Sequence, residues 1–248
     1  MNMNCTRILL LAVAFAGLAG AAAINQVAYA SLAGIQLITF DDIAGGEAPG
    51  TSYNGIFESG DTSFGERFAG QTIGNVGGFD VLSGTPGRPL SLLVGAPGQN
   101  LAVLINDDSQ VLTGLGPTGF PDFDAIGEGS FALLFDFDQS EFGFQLVGGN
   151  GGSATVSFFR RDGTLIETIT LNGLSSTFYG FSREGAVKDV AGVSISNEDA
   201  AGIGFDNLLH DVAGIPGTPG ADTPEPASFG LTGLVLMAVG VVRSKFRM

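Results

Sequence analysis

The middle of this chain is punctuated too often for helices. Apolar or alternating runs at 101–105, 131–137, 142–146, 154–158, 165–171 and 193–196 are each bounded by Gly, Asp or Asn. Short runs with turn residues at both ends are the signal of strands rather than helices. The 40 glycines among 248 residues point the same way, because a glycine inside a helix costs about 1 kcal/mol. They keep no period of three, which excludes a collagen helix. The pattern predicts an all-β chain folded as a two-sheet antiparallel β-sandwich of jelly-roll type. Asp162-Gly163, between two such runs, predicts a hairpin closed by a primed turn. The run Gly148-Gly-Asn-Gly-Gly152 predicts another hairpin turn, and residues 43–78 read as long loops with one or two strands.

Both ends depart from this pattern. Residues 1–30 have the layout of a signal peptide, with Arg7 as the only charge and an apolar run from 8 to 23. Ala28-Tyr29-Ala30 supplies the small-x-small cleavage signal, placing the cut between Ala30 and Ser31, although Ala21-Ala22-Ala23 obeys the same rule. The single cysteine, Cys5, lies in the leader, so no disulfide is expected in the exported protein. Residues 31–213 are then the passenger domain and 214–223 a Gly/Pro linker. Residues 224–248 begin Pro224-Glu225-Pro226 and continue through a charge-free stretch, 227–242, to Arg243, Lys245 and Arg247. As a helix that stretch is about 24 Å long, against a hydrocarbon core of about 30 Å, so it spans with snorkelling flanks or local thinning. The basic cluster keeps the C-terminus cytoplasmic and the domain outside.

This tail resembles the PEP-CTERM sorting signal of Gram-negative bacteria, in which the tripeptide, the apolar helix and the basic end occur in that order. The resemblance covers residues 223–248. It implies export across the inner membrane, removal of the leader by a signal peptidase and recognition of the tail by an exosortase. The helix is then a temporary membrane handle, and the destination is the cell surface, outer membrane or extracellular polysaccharide matrix.

The acidity belongs to the exported part: residues 31–223 carry 24 acidic and 6 basic side chains, a formal charge of −18, against −15 for the whole chain. Such a surface repels nucleic acid, whose binding needs clustered Lys and Arg, and attracts divalent cations. Phe-Asp recurs at 40–41, 79–80, 123–124, 135–136, 137–138 and 205–206. The simplest account puts Phe in the core and lets Asp end the strand by bonding its own turn. Ile38-Thr-Phe-Asp-Asp-Ile43 and Ile203-Gly-Phe-Asp-Asn-Leu208 also resemble the opening and closing strands of galactose-binding-like jelly rolls and of other PEP-CTERM passengers. That likeness implies that the two segments pair and that a structural Ca²⁺ is held by Asp41, Asp42 and Asp206, with Asn207 and Glu58 as weaker ligands. Oxygen donors of this kind suit calcium. A second acidic stretch, Asp122-Phe-Asp124-Ala-Ile-Gly-Glu128, lacks the ligands at later positions of a calcium loop and reads as a solvated turn.

Asp136-Phe-Asp138-Gln-Ser-Glu141 is similar to the acidic strand of laminarinase-type glycoside hydrolases, where paired carboxyls serve as nucleophile and acid. Here the first position is Asp, and the chain has no tryptophan to build a sugar platform. The only histidine, His210, reads as a surface residue at a strand end, so a His-dependent triad is not expected. Zinc sites lack His and Cys partners. The expected function is therefore a non-catalytic surface or matrix protein, with a lectin-like carbohydrate-binding module as the alternative and a glycoside hydrolase behind it.

Overall fold

A computed structural model describes residues 23–211. Residues 1–22 of the expected leader, the expected linker and the PEP-CTERM-like tail lie outside the described residues. Within them the chain is all β, with three short 3-10 turns and no α-helix. The first nine strands are short: β1 (Ile24–Val27), β2 (Gln36–Ile38), β3 (Thr51–Tyr53), β4 (Phe57–Ser59), β5 (Thr62–Gly65), β6 (Arg67–Phe68), β7 (Thr72–Val76), β8 (Phe79–Ser83) and β9 (Leu92–Leu93). The next nine are longer: β10 (Leu101–Asn106), β11 (Ser109–Gly114), β12 (Phe131–Gln139), β13 (Glu141–Gly148), β14 (Ser153–Phe159), β15 (Leu165–Asn172), β16 (Thr177–Arg183), β17 (Val190–Asn197) and β18 (Ile203–His210).

Two antiparallel sheets dominate. The larger runs β1-β16-β13-β18-β11-β10-β3, with β2 also on β18; the other runs β15-β14-β17-β12-β5-β4. Five of the six connections from β12 to β18 leave one sheet for the other, the exception being the β14–β15 hairpin. One core contains buried side chains from both sheets, including Phe64, Phe131, Phe135 and Phe158 from one and Phe142, Phe144, Phe181 and Phe205 from the other. Their rings pack edge-on or tilted, as for Phe144–Phe205 at 5.1 Å and Phe158–Phe181 at 5.2 Å, the geometries that the aromatic quadrupole favours. Phenylalanine thus supplies the aromatic part of a core that contains no tryptophan.

A smaller apolar cluster explains why some strands do not alternate. Phe68, Leu90 and Leu92 cover Ala132, Phe159 and Ala191, so β12 and β17 are buried on both faces and read as continuous apolar runs.

Several local expectations need correction. Residues 160–164 do close the β14–β15 hairpin, but only Gly163 has positive φ (79°), with Gly163 N donating to Arg160 O at 2.8 Å. That is a longer loop with a left-handed glycine rather than a two-residue primed turn. The primed pattern occurs instead at Asp107-Asp108, where both residues are left-handed (φ 49° and 65°) between paired Asn106 and Ser109. The Gly148–Gly152 run is no hairpin, because β13 and β14 belong to different sheets. It is an arch, held by the fully buried Asp199 carboxylate, which accepts from Asn150 N (2.9 and 2.8 Å) and Gly152 N (2.7 Å). Residues 43–78 contain five short strands, β3 to β7, rather than one or two.

His210 is not at the surface. It is fully buried, paired in register with Gln36 on one side and Phe142 on the other, and its ring lies 5.1 Å from that of Phe135. Its Nε2 is 3.1 Å from Asp61 Oδ1. Burial pulls its pKa down, while Asp61 pulls the other way. The side chain is interior because Phe135 of the other sheet and Asp61 pack against it, contacts between distant segments.

Candidate functional site

The two Phe-Asp segments meet at their ends only, through the pair Ile38–Leu208, and Phe40, Asp41 and Asp42 lie beyond the end of β2. β2 runs antiparallel to β18, with Ile38 opposite Leu208 and Leu37 opposite Leu209. Phe40 and Phe205 are buried, but the simple Phe-in, Asp-out account does not hold throughout. Phe123 is 65 % exposed, and at 79–80 it is Asp80 that is buried.

Asp206 lies on the face of β18 opposite Phe205 and is itself buried, at 4 % exposure. The next residue, Asn207, is left-handed at φ 48°, where the register with β13 slips between Gly143 and Gln145. This bulge is strongly tied. Asn207 N donates to Asp206 Oδ1 at 2.6 Å, and its side-chain amide donates to Gln145 Oε1 at 2.6 Å and to Asp206 Oδ2 at 3.1 Å. The Ser109 hydroxyl reaches Asp206 Oδ2 at 2.7 Å, and the Tyr29 hydroxyl donates to Asn207 O at 2.8 Å. Burial pushes the Asp206 carboxyl up, the bonds from Ser109 and Asn207 pull it down, and the nearby Asp41 charge raises it, leaving it net raised.

The expected calcium ligands are only partly brought together. Asp41 and Asp206 feel one another electrostatically. Asp41 Oδ2, however, accepts from Thr39 at 2.8 Å, and Asp42 Oδ1 is engaged by Ser59 at 2.7 Å. Among the described residues no three His, Cys, Asp or Glu side chains form a group that could hold a metal ion. Asn207 spends its side chain on Gln145 and Asp206. Asp122, from the second acidic stretch, caps a 3-10 turn by accepting from Asp124 N at 3.0 Å.

The hydrolase-like carboxylates do not share a face. Asp136 and Asp138 are on β12 and Glu141 is on β13, in the other sheet. Asp138 Oδ1 receives both Arg161 Nε (3.0 Å) and Nη2 (2.7 Å). Glu141 Oε2 accepts from the backbone of Ala33 at 2.6 Å and Gly34 at 3.1 Å. Both are occupied in holding chain segments in place.

Beside Asp206 lies an open groove of about 330 Å³, lined by Asn106, Asp107, Ser109, Val111, Gln145, Val147, Ser176, Asp206 and Asn207. It adjoins a second hollow of about 420 Å³ that shares Asn106, Asp107, Val111, Val147 and Ser176. The lining offers amides, hydroxyls and carboxylates with little aromatic surface, a set suited to hydrogen-bonding a hydroxylated ligand. Apart from Asp206 and Asn207, sequence reasoning missed these residues. The alternation Ser109-Gln-Val111 and Gln145-Leu-Val147 shows which side chains share a face, but not that β11 and β13 flank the same strand, β18.

No family model, curated protein or solved structure matches this chain. Among the described residues no helix is long and apolar enough to cross a membrane.

Proposed function

We propose that this is an exported, PEP-CTERM-sorted protein of the cell surface or extracellular polysaccharide matrix, whose passenger is a non-catalytic, acidic β-sandwich of jelly-roll type. The reading rests on one observation above all, the ordered tripeptide, apolar stretch and basic end at 224–248. The passenger is compatible with it. The formal charge of −18 on residues 31–223 suits a component that stays dispersed in a hydrated matrix. Signal peptidase and exosortase are its processing partners, and the tail holds it in the inner membrane until it is cut. Deletion of residues 224–248 tests the sorting reading. The product should become soluble and secreted or periplasmic, whereas normal surface retention without the tail would refute it.

The groove beside Asp206 favours a second reading, a lectin-like module for extracellular polysaccharide. Binding by hydrogen bonds rather than ring stacking would be weak per site and suited to repeated contacts along a polymer. Absence of binding to a panel of bacterial polysaccharides would remove this reading. Calcium belongs to the proposal through Asp41 and Asp206, whose mutual repulsion a cation would relieve. Saturating Ca²⁺ at a hundred times its dissociation constant adds about 2.7 kcal/mol, so a melt unchanged by Ca²⁺ or EDTA would discard it.

A further inference from the structure

The folded body begins before residue 31. β1 forms the outer strand of the larger sheet, pairing Ile24 with Arg183, Asn25 with Ser182, Gln26 with Phe181 and Val27 with Gly180. Ile24 is buried and belongs to the main core. Tyr29 stacks against Phe178 at 4.9 Å and braces the Asp206–Asn207 bulge through its hydroxyl. The sheet makes room for this segment with glycines. A Cβ on Gly143 would come within 2.8 Å of the Tyr29 ring, and one on Gly180 within 2.9 Å of Tyr29 Cα. A cut after Ala30 would remove β1 and Tyr29 together. It would leave the backbone of β16 unpaired along one side and open the core at Ile24.

We propose that signal peptidase cuts between Ala23 and Ile24, and that the ammonium group so created is held by Glu167. The inference rests on the export reading above. Ala21-Ala22-Ala23 meets the small-x-small requirement at the end of the apolar run. Hydrolysis adds one water across the Ala23–Ile24 peptide bond: the C–N bond breaks, the leader departs with a carboxylate on Ala23, and Ile24 keeps the nitrogen as an amine that takes up a proton at neutral pH. That nitrogen already donates to Glu167 Oε2 at 2.6 Å. Glu184 Oε2 lies 3.3 Å from Ala23 N, so a second carboxylate stands at the same strand end. Arg183, opposite Ile24 in the register, gives its Nε and Nη2 to Asp189 and feels Glu167 and Glu184 only as nearby charges, so the direct hydrogen bond to Glu167 is left to the Ile24 nitrogen. Cleavage thus converts a hydrogen bond between a neutral amide and a carboxylate into an ion pair between an ammonium and a carboxylate and fixes the first residue of the mature chain in the sheet.

Expression of the full chain in a Gram-negative host, followed by N-terminal sequencing and intact mass of the exported product, tests the assignment. The expected first residue is Ile24. A product starting at Ser31 would overturn the assignment and leave export standing, whereas one retaining Met1 would overturn the export reading as well. Ala23→Asp should block processing, while Ala30→Asp, at an exposed position, should leave the same Ile24 terminus. Cleavage abolished by Ala30→Asp and untouched by Ala23→Asp would reverse the conclusion. Glu167→Gln should lower the melting temperature of the mature protein by about 2–4 °C, and an unchanged melt would refute the ion pair.

Discussion

Arg183 and Asp189 form a two-pronged ion pair, with Nε to Oδ1 at 2.7 Å and Nη2 to Oδ2 at 3.0 Å. The Arg183 side chain is only 2 % exposed, and Asp189 also receives Arg160 Nε at 2.9 Å. Burial pushes the Asp189 carboxyl up, but the bonds from both arginines outweigh it and leave the pKa lowered. The pair joins the end of β16, beside β1, to the start of β17 in the other sheet.

Asp189→Asn should therefore be costly. It removes the carboxylate that Arg183 binds directly and leaves the guanidinium only the more distant charges of Glu167 and Glu184, a change worth about 3 kcal/mol. Equilibrium denaturation measures it. Arg160→Gln, at the more exposed partner, should cost about 1 kcal/mol or less.

Stability should fall as pH rises from about 4 to 7, through Glu128 and Asp80. Burial, then the charges of Asp199 and Asp124, raise the Glu128 pKa to about 7, and burial raises that of Asp80 to about 6 against the Ser130 amide and Arg67. Each folded-state pKa lies above its unfolded value, so the native protein keeps a proton that the unfolded chain releases in this window. The contribution is full below pH 4 and lost as pH passes the folded pKa. Glu128→Gln should flatten the profile and gain on the order of 1 kcal/mol relative to the parent at pH 7.5. Parallel melting curves across this range provide the check.

Asp199→Ala should loosen the arch between β13 and β14. Its carboxylate accepts from the amides of Asn150, Gly152 and Ala201, and hydrogen bonds to a charged group contribute about 1.5–3 kcal/mol each. A loss of about 3 kcal/mol is expected. Hydrogen exchange should show the Asn150 and Gly152 amides losing protection more than those of the β14–β15 hairpin.

Gln145→Ala and Asp206→Asn should weaken any polysaccharide binding at the groove about tenfold. Gln145→Ala removes the partner of the Asn207 amide, and Asp206→Asn discards a charge that Ser109 and Asn207 now share. Binding to immobilised polysaccharide, with the melting temperature as a control for folding, separates a ligand contact from a structural one.

The strand-forming runs at 101–105, 131–137, 142–146, 154–158, 165–171 and 193–196 were legible in the sequence, because alternation and bounding glycines are local properties of the chain. All six lie within observed strands, whereas the two Phe-Asp segments meet only at Ile38 and Leu208. Composition alone also fixed that residues 31–223 contain no cysteine and are strongly acidic. Sheet membership was not legible. A Gly-rich run between two strands reads the same whether it closes a hairpin or, as at 148–152, crosses to the other sheet, because the difference lies in which distant strand each side pairs with. Burial of His210 and Asp80, and the double-faced burial of β12 and β17, likewise depend on segments folded over them from far away in the chain. The groove beside Asp206 exists only because β11 and β13 flank β18, and the place of Ile24 in the sheet only because β16 offers it an edge. Periodicity determined what each segment forms; long-range pairing decided which side chains meet.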